Sequence, residues 1–190
     1  MSKTEATKAT NAKPETVDAQ KVFDAVKRRA EDLGVRTILV ASTSGETGVK
    51  TAEYFKGYNV IVVTHSAGFT GSDVQELKAE NRERILNAGG KILTTTHAFG
   101  GLGRAVRRKF GTYQSDEIVA NALRIFGQGV KVAVEIAIMA ADAGLVSVNE
   151  DVISIGGTGR GADAALVLKP ANVQDFFDVR VHEVICKPWL

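Results

Sequence analysis

Apolar positions along this chain switch between two spacings, and the switches mark out its elements. Residues 17–33 carry Val17, Ala19, Val22, Phe23, Val26 and Ala30 at helical spacing, with Thr16 placed to cap the first turn and Gly34 to end the helix. Near-continuous apolar runs at 37–41 and 59–64 have the look of strands buried on both faces. Between them a helix is predicted over 46–55, stopped by Gly57. A charged helical pattern over 73–88, closed by Gly89 and Gly90, leads to a third strand at 91–95. Strand, helix, strand, helix, strand predicts a parallel sheet with right-handed crossovers.

The second half is less regular. Residues 96–112 read as a long connection rich in glycine and arginine, followed by a helix over 116–126 that Ser115 is placed to cap. Residues 130–138 are ambiguous, because Val130, Val132 and Val134 alternate as in a strand. The spacing of Lys131 and Glu135, the alanines from Ala137 to Ala143 and a stop at Gly144 favour a buried helix. A strand at 152–155 then passes through a glycine turn into another at 164–168. Too few residues separate them for a crossover helix, so the second must run antiparallel. Pro170 ends it, and 179–186 reads as a last strand covering an edge. Residues 1–15 read as a disordered tail and 16–190 as one domain.

Composition narrows the classes. Apolar content of 44% and charged content of 24% suit a globular protein with an ordinary core. The net charge of +2, from 24 basic and 22 acidic residues, is too balanced for a nucleic-acid footprint. A single cysteine, Cys186, rules out an internal disulfide framework and suits a reducing compartment. No apolar run reaches spanning length, and the N-terminus lacks the apolar core of a signal peptide, so a cytoplasmic protein without membrane contact is expected. Three histidines and no clustered acids argue against a metal site.

Two strand-then-turn segments carry the candidate chemistry. The first strand breaks into Ser42, Thr43, Ser44, Gly45, Glu46 and Thr47 at the start of a helix. The later one breaks into Gly156, Gly157, Thr158, Gly159, Arg160 and Gly161. Each turn offers bare amides, hydroxyls and little bulk, and the second adds a guanidinium, which are the parts of a phosphate site. Gly48-Val49-Lys50-Thr51 misses the P-loop spacing, and Gly101-Leu102-Gly103 lacks the third glycine of a dinucleotide fingerprint. Taken singly, Thr43 or Ser44 need do no more than cap a helix.

The segment 38–47, the pattern ending at Ala143-Gly144-Leu145-Val146 and the glycine hairpin after it resemble the pyruvate kinase C-terminal domain. The likeness is closer to stand-alone archaeal and bacterial proteins of that domain type, through 40–47, Thr64-His65-Ser66-Ala67-Gly68-Phe69, 134–144 and Ile155-Gly156-Gly157-Thr158. The resemblance implies a three-layer α/β/α fold with strand order 3-2-1-4-5, strand five antiparallel, which makes strands one and four neighbours. In pyruvate kinases with a regulatory site, the corresponding turns grip the phosphates of a sugar bisphosphate. By position, Ser42, Thr43, Ser44 and Thr47 would hold one phosphate and Gly157 to Gly161 would close over the ligand, with Arg160 a further cation. Kinase activity is not implied, because that chemistry belongs to a barrel of about 250 residues. Flavin mononucleotide (FMN) is a second ligand the resemblance suggests, its phosphate suiting the first turn.

His65 and His97 each follow a strand, so both are expected on the ligand-binding edge, as acid or base, as phosphate ligands, or in hydrogen bonds to loop backbone. His182 falls inside the last strand and reads as structural. Arg104, with Arg107, Arg108 and Lys109, forms a cationic segment open to three readings: a lid over a phosphorylated ligand, a solvated basic face, or an oligomer contact. Glu135 reads as the partner of Lys131. The expectation is a module that binds a small phosphorylated molecule, with an enzyme using His65 and His97 as the alternative. Trp189 and an exposed final strand leave room for a homo-oligomer.

Overall fold

A computed structural model describes residues 18–159 and 161–190. The tail read at 1–15, the Thr16 cap and Arg160 lie outside the described residues. In chain order the elements are α1 (Ala19–Leu33), β1 (Thr37–Ala41), α2 (Glu46–Tyr54), β2 (Asn59–Thr64), α3 (Ala79–Asn87) and β3 (Lys91–Thr94). They continue as α4 (Leu102–Phe110), α5 (Ser115–Arg124), α6 (Gln128–Asp142), β4 (Val152–Gly156), β5 (Ala164–Lys169) and β6 (Arg180–Cys186). One sheet joins all six strands in the order β3-β2-β1-β4-β5-β6. The first four of these run parallel, while β5 pairs antiparallel with β4 and with β6.

The alternation of side chains along the central strands builds two cores. Ile38 and Val40 face one side, where they meet Val22 and Val26 of α1, Val49 of α2 and Ile85 of α3. Leu39 faces the other, against Ala133, Ala137 and Ile138 of α6 and Ala120 of α5. Both faces of the parallel strands are therefore covered, and the domain is a three-layer α/β/α sandwich. No helix among the described residues is long and apolar enough to cross a membrane.

Residues 130–138 are helical. They lie within α6, which is buried along nearly its whole length, so the valine alternation reports burial on every side and not a strand. Three boundaries differ from expectation. Residues 73–78 are not helical: the Gln75 side chain accepts the Leu77 amide at 2.9 Å, a local bond that competes with the helical ladder, and Leu77 turns into the core. The connection at 96–112 contains α4, ended by Gly111 at φ 71°. Arg107, Arg108 and Lys109 fill its last turn, where cations suit the negative end of the helix dipole. Ser115 is the first residue of α5 instead of its cap, and Gln114 holds the cap position without a side-chain bond. At the chain's first described helix, Asp18 accepts the Gln20 amide at 3.0 Å and caps α1.

Candidate functional site

Order reversal in an open sheet leaves a crevice at the carboxyl ends of the strands on either side of the reversal. Here β1 has β2 on one side and β4 on the other, and a cavity of about 590 Å³ opens at their ends. Ser42, Thr43, Ser44, Glu46 and Thr47 form one wall of it, and Gly157, Thr158, Gly159 and Gly161 another. His65, His97 and Arg104 reach it from the loops after β2 and β3 and from α4. The two distant turns therefore share one rim.

Their geometry differs. Gly45 sits at φ 94° as the cap of α2, a conformation that only glycine adopts freely, and a Cβ there would fall 2.6 Å from both Asn81 and Leu77. The Ser44 carbonyl is taken by the Asn81 side chain at 2.9 Å and by the Lys78 amide at 3.2 Å. Ser42, buried, accepts the Gly48 amide at 3.0 Å through its hydroxyl oxygen. Among the described residues nothing accepts from the amides of Thr43, Ser44, Gly45 or Thr47. The positive end of α2 thus opens on the cavity with the amides of Thr43, Ser44 and Thr47 and the hydroxyls of Thr43 and Thr47 uncommitted among the described residues. Gly45 and Gly156 themselves shape the backbone without lining the cavity.

The second turn is more closed. Thr158 donates both its amide (3.0 Å) and its hydroxyl (2.5 Å) to Asp163. Among its described residues, what this turn presents is mainly glycine backbone. The buried Asp163 carboxylate also abuts Gly129 in the first turn of α6, so the chain's own anion occupies that helix end. Gly156 permits the start of α6 to pack closely on β4, since a Cβ on it would lie 2.0 Å from the Gly129 carbonyl oxygen.

The floor comes from α6, whose residues Gln128, Lys131, Glu135, Ile136 and Met139 line the cavity one turn after another. Lys131 and Glu135 form a buried ion pair. Glu135 also accepts the Phe99 amide at 3.0 Å and lies 3.9 Å from His97 Nδ1. Burial pushes the Lys131 ammonium below its ordinary value, against the pull of Glu135. His97 is likewise pushed down by burial, with Glu135 opposing and His65, Lys131 and Arg104 adding to the effect; its Nε2 is buried without a partner. His65 pairs through Nδ1 with Glu76 at 2.7 Å. Phe69 joins both imidazoles, with ring centroids 4.0 Å from His65 and 4.8 Å from His97, and Arg104 lies over it at 4.8 Å.

Residue patterns alone did not place Lys50, Phe69, Arg124, Gln128, Lys131 or Glu135 in the site. One signal was available for two of them. A lysine and a glutamate one turn apart, inside a helix otherwise apolar on every side, are costly to bury unless something faces them. Among the described residues, cationic side chains around the cavity (Lys50, Arg104, Arg124, Lys131) outnumber carboxylates (Glu46, Glu135) by four to two. His182 is exposed on β6 beside Asp151 at 3.2 Å, away from the cavity.

Residues 20–168 match the family model described as pyruvate kinase, alpha/beta domain. The chain belongs to this family. The match ends within β5, so β6 lies beyond it. Among solved structures, a pyruvate kinase from Cryptosporidium parvum is 15% identical over 83% of this chain and 24% of its own, with a TM-score of 0.40. An O-ureido-L-serine synthase is 22% identical over 50% of this chain and 30% of its own, with a TM-score of 0.31. The pyruvate kinase alpha/beta domain described here spans about a quarter of the length of that kinase chain.

Proposed function

We propose that this pyruvate kinase alpha/beta domain binds a small phosphorylated molecule at the carboxyl edge of its sheet. The observation that carries the reading is the start of α2, where the amides of Thr43, Ser44 and Thr47 have no acceptor among the described residues and these residues line a cavity whose described lining is richer in cations than in carboxylates. A helix N-terminus with spare amides and flanking hydroxyls favours an anion with several acceptor oxygens. The volume of about 590 Å³ lies in the range of small-molecule sites, about 300–1,000 Å³. FMN and sugar phosphates are the first candidates. For FMN the residues present fit: the first turn suits its phosphate, and Val63, Ile136 and Met139 offer an apolar wall for a ring system.

Calorimetric titration with FMN, riboflavin and a panel of sugar phosphates tests the reading. At least one phosphorylated compound should bind, and its unphosphorylated counterpart should bind far more weakly. Thr47→Val should weaken the phosphorylated ligand about tenfold, the worth of one hydrogen bond to a charged group. Equal binding of riboflavin and FMN, with no sugar phosphate bound, overturns the proposal.

A second reading rests on the two imidazoles, each near a carboxylate and both lining the cavity. His97, held below its ordinary value by burial, and His65 beside it are imidazoles able to move a proton on a bound ligand. Under that reading His97→Asn abolishes a turnover found by substrate screening while ligand affinity stays within about threefold, below one hydrogen bond's worth.

A further inference from the structure

We propose that the basic face of α4 forms a second anion subsite, so that the ligand is one carrying two separated anionic groups. This rests on the phosphate reading of the α2 cradle and extends it to the class of ligand. A further cavity of about 590 Å³ lies between α4 and the loops that follow β2 and β3. It shares Phe69, His97 and Arg104 with the first cavity, so the two are compartments on either side of one partition.

The charge in this compartment is of one sign. Arg104, Arg108 and Lys109 line it, and among the described residues no carboxylate does. Arg104 and Arg108 stand one turn apart and so project from the same side of α4. Arg107 between them is engaged elsewhere, 2.8 Å from Glu117. Arg104 is held by packing instead of by an ion pair: its guanidinium lies 4.8 Å over Phe69, and a Cβ on Gly100 would come within 2.8 Å of Arg104 Nη2. A guanidinium fixed in this way keeps its forked donors for a guest and loses little entropy on binding one. Ser66 and Thr96 add hydroxyls to the same wall. A merely solvated basic face needs neither the enclosing loops nor an arginine placed across the partition.

Amide resonances of the full chain, followed by heteronuclear NMR during titration with inorganic phosphate, report on the two compartments separately. The expected result is saturable shifts both at residues 43–47 and at residues 100–109. Arg108→Gln with Lys109→Gln, both exposed and so safe for folding, should remove the second set and keep the first. Shifts confined to 43–47 overturn this proposal and leave the cradle standing. Shifts absent from 43–47 overturn the cradle and this proposal together. Alkanediol bisphosphates of increasing chain length, each titrated against its monophosphate, then test the ligand class. At least one length should bind about tenfold or more tighter than its monophosphate, and the double variant should lose that gain. A gain absent at every length, or undiminished in the variant, overturns the assignment.

Discussion

Lys131 and Glu135 are charged side chains in a helix that is otherwise core, and their energetics are asymmetric. Removing one partner strands the other charge in a buried site, whereas replacing both with apolar groups removes the desolvation cost along with the attraction. Lys131→Met should therefore cost about 3–5 kcal/mol in urea unfolding, and Lys131→Met with Glu135→Leu should recover most of it. A double variant as unstable as the single one would mean that Glu135 acts mainly through its bond to Phe99. His97 gives the pH counterpart. Burial holds its imidazole below the ordinary value of 6.5, so the unfolded chain takes up this proton before the folded protein does. Above that pH both forms are neutral and the group contributes nothing. As pH falls below it, protonation favours the unfolded chain and stability declines. Between pH 7 and pH 5 the urea midpoint should fall, and His97→Gln should fall less steeply, by up to about 1.4 kcal/mol per pH unit. Parallel curves for the two proteins would remove His97 as the cause.

Among elements, the start of α2 depends most on a single backbone geometry. Gly45 combines a left-handed φ with neighbours that leave no room for a methyl group. Gly45→Ala should cost about 1–3 kcal/mol in stability and weaken phosphate binding, since the turn can relax only by moving its amides. Retained affinity at lower stability would show that the cradle tolerates a shifted cap. The sequence pattern announced this element well, because β1 is a continuous apolar run and only the short turn at 42–45 separates it from α2. It did less well with α4, whose glycines and arginines read as a connection. Glycine lowers intrinsic helix propensity, and the four cations from Arg104 to Lys109 hide the short apolar pattern. What holds α4 is tertiary: Arg107 pairs with Glu117 of α5, and Arg104 packs on Phe69. The start of α3 was misjudged for a related reason, since Leu77 leaves the helical pattern to fill the space beside Gly45.

At the scale of the molecule, β6 lies outside the matched family segment yet closes the sheet against β5. Arg29 of α1 reaches Glu183 of β6 at 2.7 Å, and Ile185 and Cys186 pack against the core on that side. A chain ending at Asp178 should lose more than about 5 °C in its thermal midpoint, because β5 would become an unpaired edge over exposed apolar contacts. An unchanged midpoint would make β6 an ornament of the fold. The parallel strands, the antiparallel return of β5 and the two turns were written in local patterns, because burial on two faces and a loop too short for a crossover leave few arrangements, whereas the domain type and strand order came from the resemblance to the pyruvate kinase C-terminal domain. Which turn keeps its amides free was decided only by tertiary structure. Asp163 approaches from five residues beyond Thr158 and consumes that residue's donors, while Asn81 and Lys78 draw the Ser44 carbonyl aside. The same holds for the cavity floor. Lys131 and Glu135 read as an ordinary helical pair along the chain, and only the packing of α6 against the ends of β1 and β4 places them in the cavity wall, because periodicity records which residues are buried and not what they are buried against.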